Sequence, residues 1–101
     1  MFKHIVCWTL KDEAAGATKN ENLVKMKKVL EDMIGKVEVL KFLEVGINSE
    51  RAADSNYDIV LITEFEKFED LKIYDEHPVH QKVKEFVKQV AEKRVAVDYE
   101  I

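Results

Sequence analysis

Tyr74-Asp75-Glu76-His77-Pro78-Val79-His80 gathers two of the chain's three histidines and its only proline into seven residues. Proline fixes φ near the helical value and lacks an N–H, so it suits the first position of a helix, where that N–H would have no partner. The residue before a proline avoids the helical region. His77 is therefore expected to break one helix and cap the next, with His80 in the new first turn. The same residues fit an ordinary helix start, so the stretch proposes a site before it names a reaction.

Residues 66–75 place Phe68, Leu71 and Tyr74 at helical spacing before the break. Residues 78–93 carry Val79, Val83, Phe86, Val87 and Val90 on one stripe, with Lys and Glu elsewhere. Beyond them, residues 94–101 alternate Val95, Val97, Tyr99 and Ile101 with Ala96, Asp98 and Glu100, the period of a strand. Upstream, residues 57–65 alternate Tyr57, Ile59, Leu61, Thr63 and Phe65 with Val60 and Ile62, and are apolar on both faces. Residues 38–47 give another strand through Val39, Leu43, Val45 and Ile47, with Leu40 and Phe42 on the other parity and Gly46 at an expected bulge. A polar loop, 48–56, joins these two strands.

Thr18-Lys19-Asn20-Glu21 is a capping box. It opens a helix with Leu23, Met26, Val29, Leu30, Met33, Ile34 and Val37 at three- and four-residue steps, stopped by Gly35. Residues 2–10 alternate Phe2, His4, Val6, Trp8 and Leu10 with Lys3, Ile5, Cys7 and Thr9, and a polar turn, 11–17, follows. The order strand, helix, strand, strand, broken helix, strand predicts an α+β domain of β-α-β-β-α-β type: a four-stranded antiparallel sheet with helices on one face. Ile5, Cys7, Val60 and Ile62 then fall on the bare face, an apolar patch that a second copy would cover.

Composition narrows the function classes. The 101 residues make one domain, with 36% charged and 47% hydrophobic residues and a formal charge of −4. Lysines 25, 27 and 28 are interleaved with Glu21, Glu31 and Asp32, which argues against a nucleic-acid partner. No apolar run approaches the ~20 residues of a membrane span, and no signal segment opens the chain, so the expectation is a soluble, cytoplasmic protein. The lone Cys7 cannot pair within the chain and is expected to be a small core residue.

Lys3-His4-Ile5-Val6, Tyr57-Asp58-Ile59-Val60, His77-Pro78-Val79-His80 and Val97-Asp98-Tyr99, in this order, resemble the stress-responsive A/B barrel (Dabb) proteins of the dimeric α/β-barrel superfamily along the whole chain, 1–101. The resemblance implies a homodimer of ferredoxin-like subunits forming a dimeric α/β barrel, with a small apolar cavity between sheet and helices. Val6, Trp8, Leu23, Met26, Leu61 and Val83 are expected to line that cavity. Plant cyclases of the family close a linear polyketide by aldol chemistry, and this chain resembles them at His4, Tyr74 and His80. It departs from them in the first helix, where Leu23 and Met26 stand in place of aromatic residues.

On this reading His80 is the base, Tyr74 the donor that holds a carbonyl oxygen and His4 an orienting partner, with a keto-containing, partly apolar ligand. Tyr74 and His80 can converge only if the break turns the second helical piece back toward the first. No cofactor is called for. Three imidazoles can bind zinc, but the proline pins His77 at a different angle from His80 and no carboxylate has an obvious place beside them, so no metal is expected. Two alternatives stand beside the cyclase or lyase reading: a non-catalytic dimeric binding or stress-protection protein in which His77 caps and Tyr74 packs, and an oxygenase of the wider superfamily, which would need haem or an autoxidising substrate.

Overall fold

The computed structural model describes residues 1–101. Strand β1 (Phe2–Leu10) leads into a small hairpin, β2 (Glu13–Ala14) and β3 (Ala17–Thr18), followed by helix α1 (Lys19–Glu31). Strands β4 (Phe42–Ile47) and β5 (Ile59–Phe65) come next, then helices α2 (Glu69–Glu76) and α3 (Pro78–Val90), and strand β6 (Ala91–Glu100). The main sheet has four antiparallel strands in the order β4-β5-β1-β6, as the element order predicts. No helix is long and apolar enough to cross a membrane.

Parity along β1 decides which face is covered. Phe2, Val6, Trp8 and Leu10 are buried, as are Ile59, Leu61, Thr63 and Phe65 on β5, and all of them face the helices. Leu23, Met26 and Leu30 of α1, Tyr74 of α2 and Val83 and Val90 of α3 complete this core. The other face carries half-buried Ile5, Cys7, Val60 and Ile62, flanked by exposed Phe42, Val95, Val97 and Tyr99. Cys7 therefore lies on the outer face and not in the core.

Besides the later starts of β5, at Ile59 and not Tyr57, and of α2, at Glu69 and not Glu66, local structure departs from the sequence expectations in five places. The segment 11–17 is no simple turn: Ala15 and Gly16 both take positive φ, 51° and 76°, which closes a two-residue hairpin between β2 and β3. Buried Asn22 braces it by donating to the Ala14 carbonyl at 3.0 Å. Helix α1 opens on the capping box as expected but is capped at Asp32, and the chain reaches Gly35, at φ 81°, through tight turns. β4 starts at Phe42 because the preceding residues are taken up by turns, with Leu40 N–H donating back to Val37. Gly46 marks no bulge, since β4 and β5 pair without a register shift; an added Cβ there would meet Val60 Cγ1 at 3.2 Å.

The fifth departure positions the site. α3 ends at Val90, three residues before the expected Lys93, because the end of β1 captures the chain. Lys11 N–H donates to the Val90 carbonyl at 2.9 Å and Leu10 pairs with Ala91. The longer β6 reaches the whole length of β1 and brings Asp98 opposite His4 and Arg94 opposite Trp8.

Candidate functional site

His77 is at once the last residue of α2's cap and the N-cap of α3, with an extended backbone at φ −63° and ψ 136°. Its Nδ1 accepts from the Val79 N–H at 3.1 Å, the capping role expected of it. In an unbroken helix that N–H would go to the Asp75 carbonyl, four residues back. The break instead leaves this carbonyl to two side chains of α3, His80 Nδ1 at 3.2 Å and Gln81 Nε2 at 2.8 Å.

That contact assigns the His80 tautomer. A carbonyl oxygen only accepts, so Nδ1 carries the hydrogen, and in the neutral ring that leaves the lone pair on Nε2. The ring stacks on Tyr74, with centroids 4.1 Å apart and 29° between planes. Burial holds the His80 pKa below the ordinary histidine value, against the opposing pull of the Asp75 carbonyl. Asp75 itself is held below the usual carboxylate range, chiefly by Lys84, whose Nζ donates to it at 3.0 Å.

Tyr74 is 1% exposed, and burial raises its pKa well above that of a free phenol, with Asp75 adding to the rise. Its hydroxyl is enclosed and has no hydrogen-bond partner in the protein. Buried polar atoms are almost always paired, so this one stands out. Phe65 packs against the ring at 5.2 Å, and His4 lies edge-on to it at 6.4 Å. His4 Nδ1 is in hydrogen-bond contact with Asp98 Oδ1 across the β1–β6 pair.

His4, Tyr74 and His80 line one cavity of about 750 Å³, together with Val6, Trp8, Leu61 and Val83. Such a volume suits a small organic ligand. Leu23 and Met26 do not line it: both are packed in the core nearer the start of α1, and Leu30 supplies that helix's contribution to the wall. The apolar lining also includes Phe68, Leu71 and Val87, and charged residues from α2, α3 and β6 form its rim.

Asp98 is the residue that the sequence reading missed, having found no carboxylate near the histidines. Its parity in the last strand was the available signal, but only the β1–β6 register sets it against His4. No cluster of three or more His, Cys, Asp or Glu side chains is arranged to hold a metal ion.

The profile of the stress responsive A/B barrel domain matches residues 2–101. The chain belongs to this family. Among solved structures it is similar to a dimeric protein of unknown function with a ferredoxin-like fold from Bacteroides fragilis, at 33% identity and a TM-score of 0.82, covering 99% of this chain and 95% of that one. It is also similar to a Dabb family protein from Mesorhizobium loti, with 24% identity, a TM-score of 0.66 and coverage of 99% and 95%. A hydroxynitrile lyase from Passiflora edulis shares the fold at 16% identity and a TM-score of 0.79, over 99% of this chain and 92% of that one. A comparison with the curated proteins gives no match.

The depressed His80 pKa has a consequence for stability. The unfolded chain binds a proton at His80 near the reference value of about 6.5, while the folded chain resists it to lower pH. Stability from this residue is therefore complete above that value and lost as pH falls through the folded pKa. Urea denaturation from neutral toward mildly acid pH should show stability falling with pH, and His80→Gln should flatten that fall. An equal slope in the variant would mean that His80 is not held neutral.

Proposed function

We propose that the cavity carries out cofactor-independent proton transfer next to a carbonyl group, as in a lyase or cyclase acting on a keto-containing small molecule. The observation that carries this reading is the stacked pair: a neutral imidazole with Nδ1 tied down, against a buried phenol with an unpartnered hydroxyl.

In the first step Nε2 of His80 takes a proton from the carbon beside the carbonyl. The C–H electron pair becomes the enolate double bond, and the carbonyl oxygen gains the negative charge. Tyr74, whose raised pKa keeps its O–H intact, donates a hydrogen bond to that oxygen. In an aldol closure the enolate carbon then attacks a second carbonyl, whose oxygen recovers the proton from the His80 imidazolium. His4, held by Asp98, positions the aromatic cluster from the sheet side. As the side chains stand the Tyr74 hydroxyl is enclosed, so a substrate oxygen reaches it only once the wall around it opens.

The Passiflora edulis protein is a lyase on the same fold, although at 16% identity the likeness concerns the fold alone. Assembly as a homodimer also belongs to this reading. It is supported by the apolar outer face of the sheet and by the dimeric state of the Bacteroides fragilis relative.

Two measurements test these statements. Solvent exchange at the carbon beside a ketone, followed by NMR, should drop ~10²–10⁴-fold in His80→Gln, the usual range for loss of a general base. Tyr74→Phe should lower exchange while leaving stability unchanged or raised by up to ~1–3 kcal/mol, since it removes a buried unsatisfied hydroxyl. Full exchange in both variants would remove His80 and Tyr74 from the chemistry, and exchange no faster than in buffer with the unaltered protein would leave a binding protein. For the dimer, Ile62→Asp places a charge on the apolar outer face and should shift light scattering from two chain masses toward one. An unchanged mass would remove Ile62 from the interface.

A further inference from the structure

The cavity is a trough with two unlike ends. α3 runs alongside β1: His80 stacks on Tyr74, which meets His4, and ten residues later Val90 accepts from Lys11 just beyond the end of β1. On α3 the residues His80, Lys84 and Lys88 recur every four positions, so they form one row along the trough. On β6, Asp98 stands opposite His4 and Arg94 opposite Trp8, at opposite ends of the same sheet face. Between these ends the lining is apolar, through Val6, Leu61, Val83 and Val87. The helix rise puts His80 and Lys88 ~12 Å apart, and the strand rise puts His4 and Trp8 ~13 Å apart.

Charge is distributed unevenly along the trough. At the histidine end Lys84 is neutralised by Asp75 at 3.0 Å, and on α2 Lys72 pairs with Glu76 at 4.0 Å while Glu69 lies nearby on the same helix. At the other end Lys88, Lys93 and Arg94 line the rim, with Glu92 the only carboxylate there. None of these three cations forms an ion pair. In a chain of net charge −4, a group of unpaired cations beside an apolar trough is a local reversal of sign. It favours an anion at that end and an uncharged, apolar ligand body along the rest.

We propose that the ligand is an elongated, apolar keto acid, with its carbonyl at His80 and Tyr74 and its carboxylate held at the far rim by Lys88 and Arg94. This rests on the proton-transfer reading and adds the substrate class to it. Arg94 presents a planar fork that suits a carboxylate, and Lys88 adds a point charge from the facing wall. Lys93 adds to the positive field at the same rim.

The test uses a straight-chain carboxylic acid of about eleven carbons with a methyl ketone at its far end, a length set by the helix rise between the two ends, together with its methyl ester. In calorimetric titration the acid should bind about tenfold tighter than the ester, the scale of one charge-assisted contact. The double variant Lys88→Gln, Arg94→Gln should abolish that preference. A double variant of the same charge change elsewhere, Lys28→Gln, Lys36→Gln, should retain it. Equal binding of acid and ester, no binding of the acid, or a preference that survives the Lys88 and Arg94 changes would each overturn the proposal. Ketone-side exchange is read in the same samples. Exchange that depends on His80 without any acid preference would sink the keto-acid assignment and leave the proton-transfer reading standing.

Discussion

The pyrrolidine ring of Pro78 sets the geometry of the paired Tyr74 and His80 side chains. Because the residue before it must be extended, α2 and α3 cannot merge into one helix, and the backbone groups at the joint need other partners. His77 takes the Val79 N–H, and the Asp75 carbonyl is left to accept from His80 and Gln81. One constraint thus fixes the turn between helices, the orientation of the His80 ring and the nitrogen on which its hydrogen sits.

The rest of the fold supplies the surroundings that set the protonation of this pair. A sheet covered on one face by helices buries Tyr74 against Phe65 and His80, and that burial pushes the phenol pKa up and the imidazole pKa down. Both shifts act in the same functional direction, toward a neutral acceptor beside an intact O–H donor. The unpartnered Tyr74 hydroxyl is a local cost within a core that otherwise satisfies its buried side-chain polar atoms. Such a cost is common where a site is built for a ligand and not for the resting protein.

Much of the fold was legible because the residues repeat a local rule. Alternation in β1 and β5, the capping box at Thr18 and the proline at position 78 each depend on near neighbours, and each element starts within two residues of where the pattern put it. What the sequence reading missed depends on contacts distant along the chain. The stop of α3 at Val90 comes from capture by β1, and the Asp98 partner of His4 comes from the β1–β6 register. Leu23 and Met26 share a helical stripe with Leu30, but only the position of α1 over the sheet decides that Leu30 reaches the cavity. His80 and Tyr74 could be nominated from the sequence, whereas their stacking required the angle between two helices.

The broken helix holds His80 neutral, with hydrogen on Nδ1 and the lone pair on Nε2. Long-range nitrogen–proton correlation NMR on histidine-labelled protein at neutral pH reads both nitrogens directly. The expected His80 signal has a protonated Nδ1 and an unprotonated Nε2, and persists as the pH is lowered past the ordinary histidine value. A protonated Nε2, or a ring already doubly protonated at that pH, would contradict it.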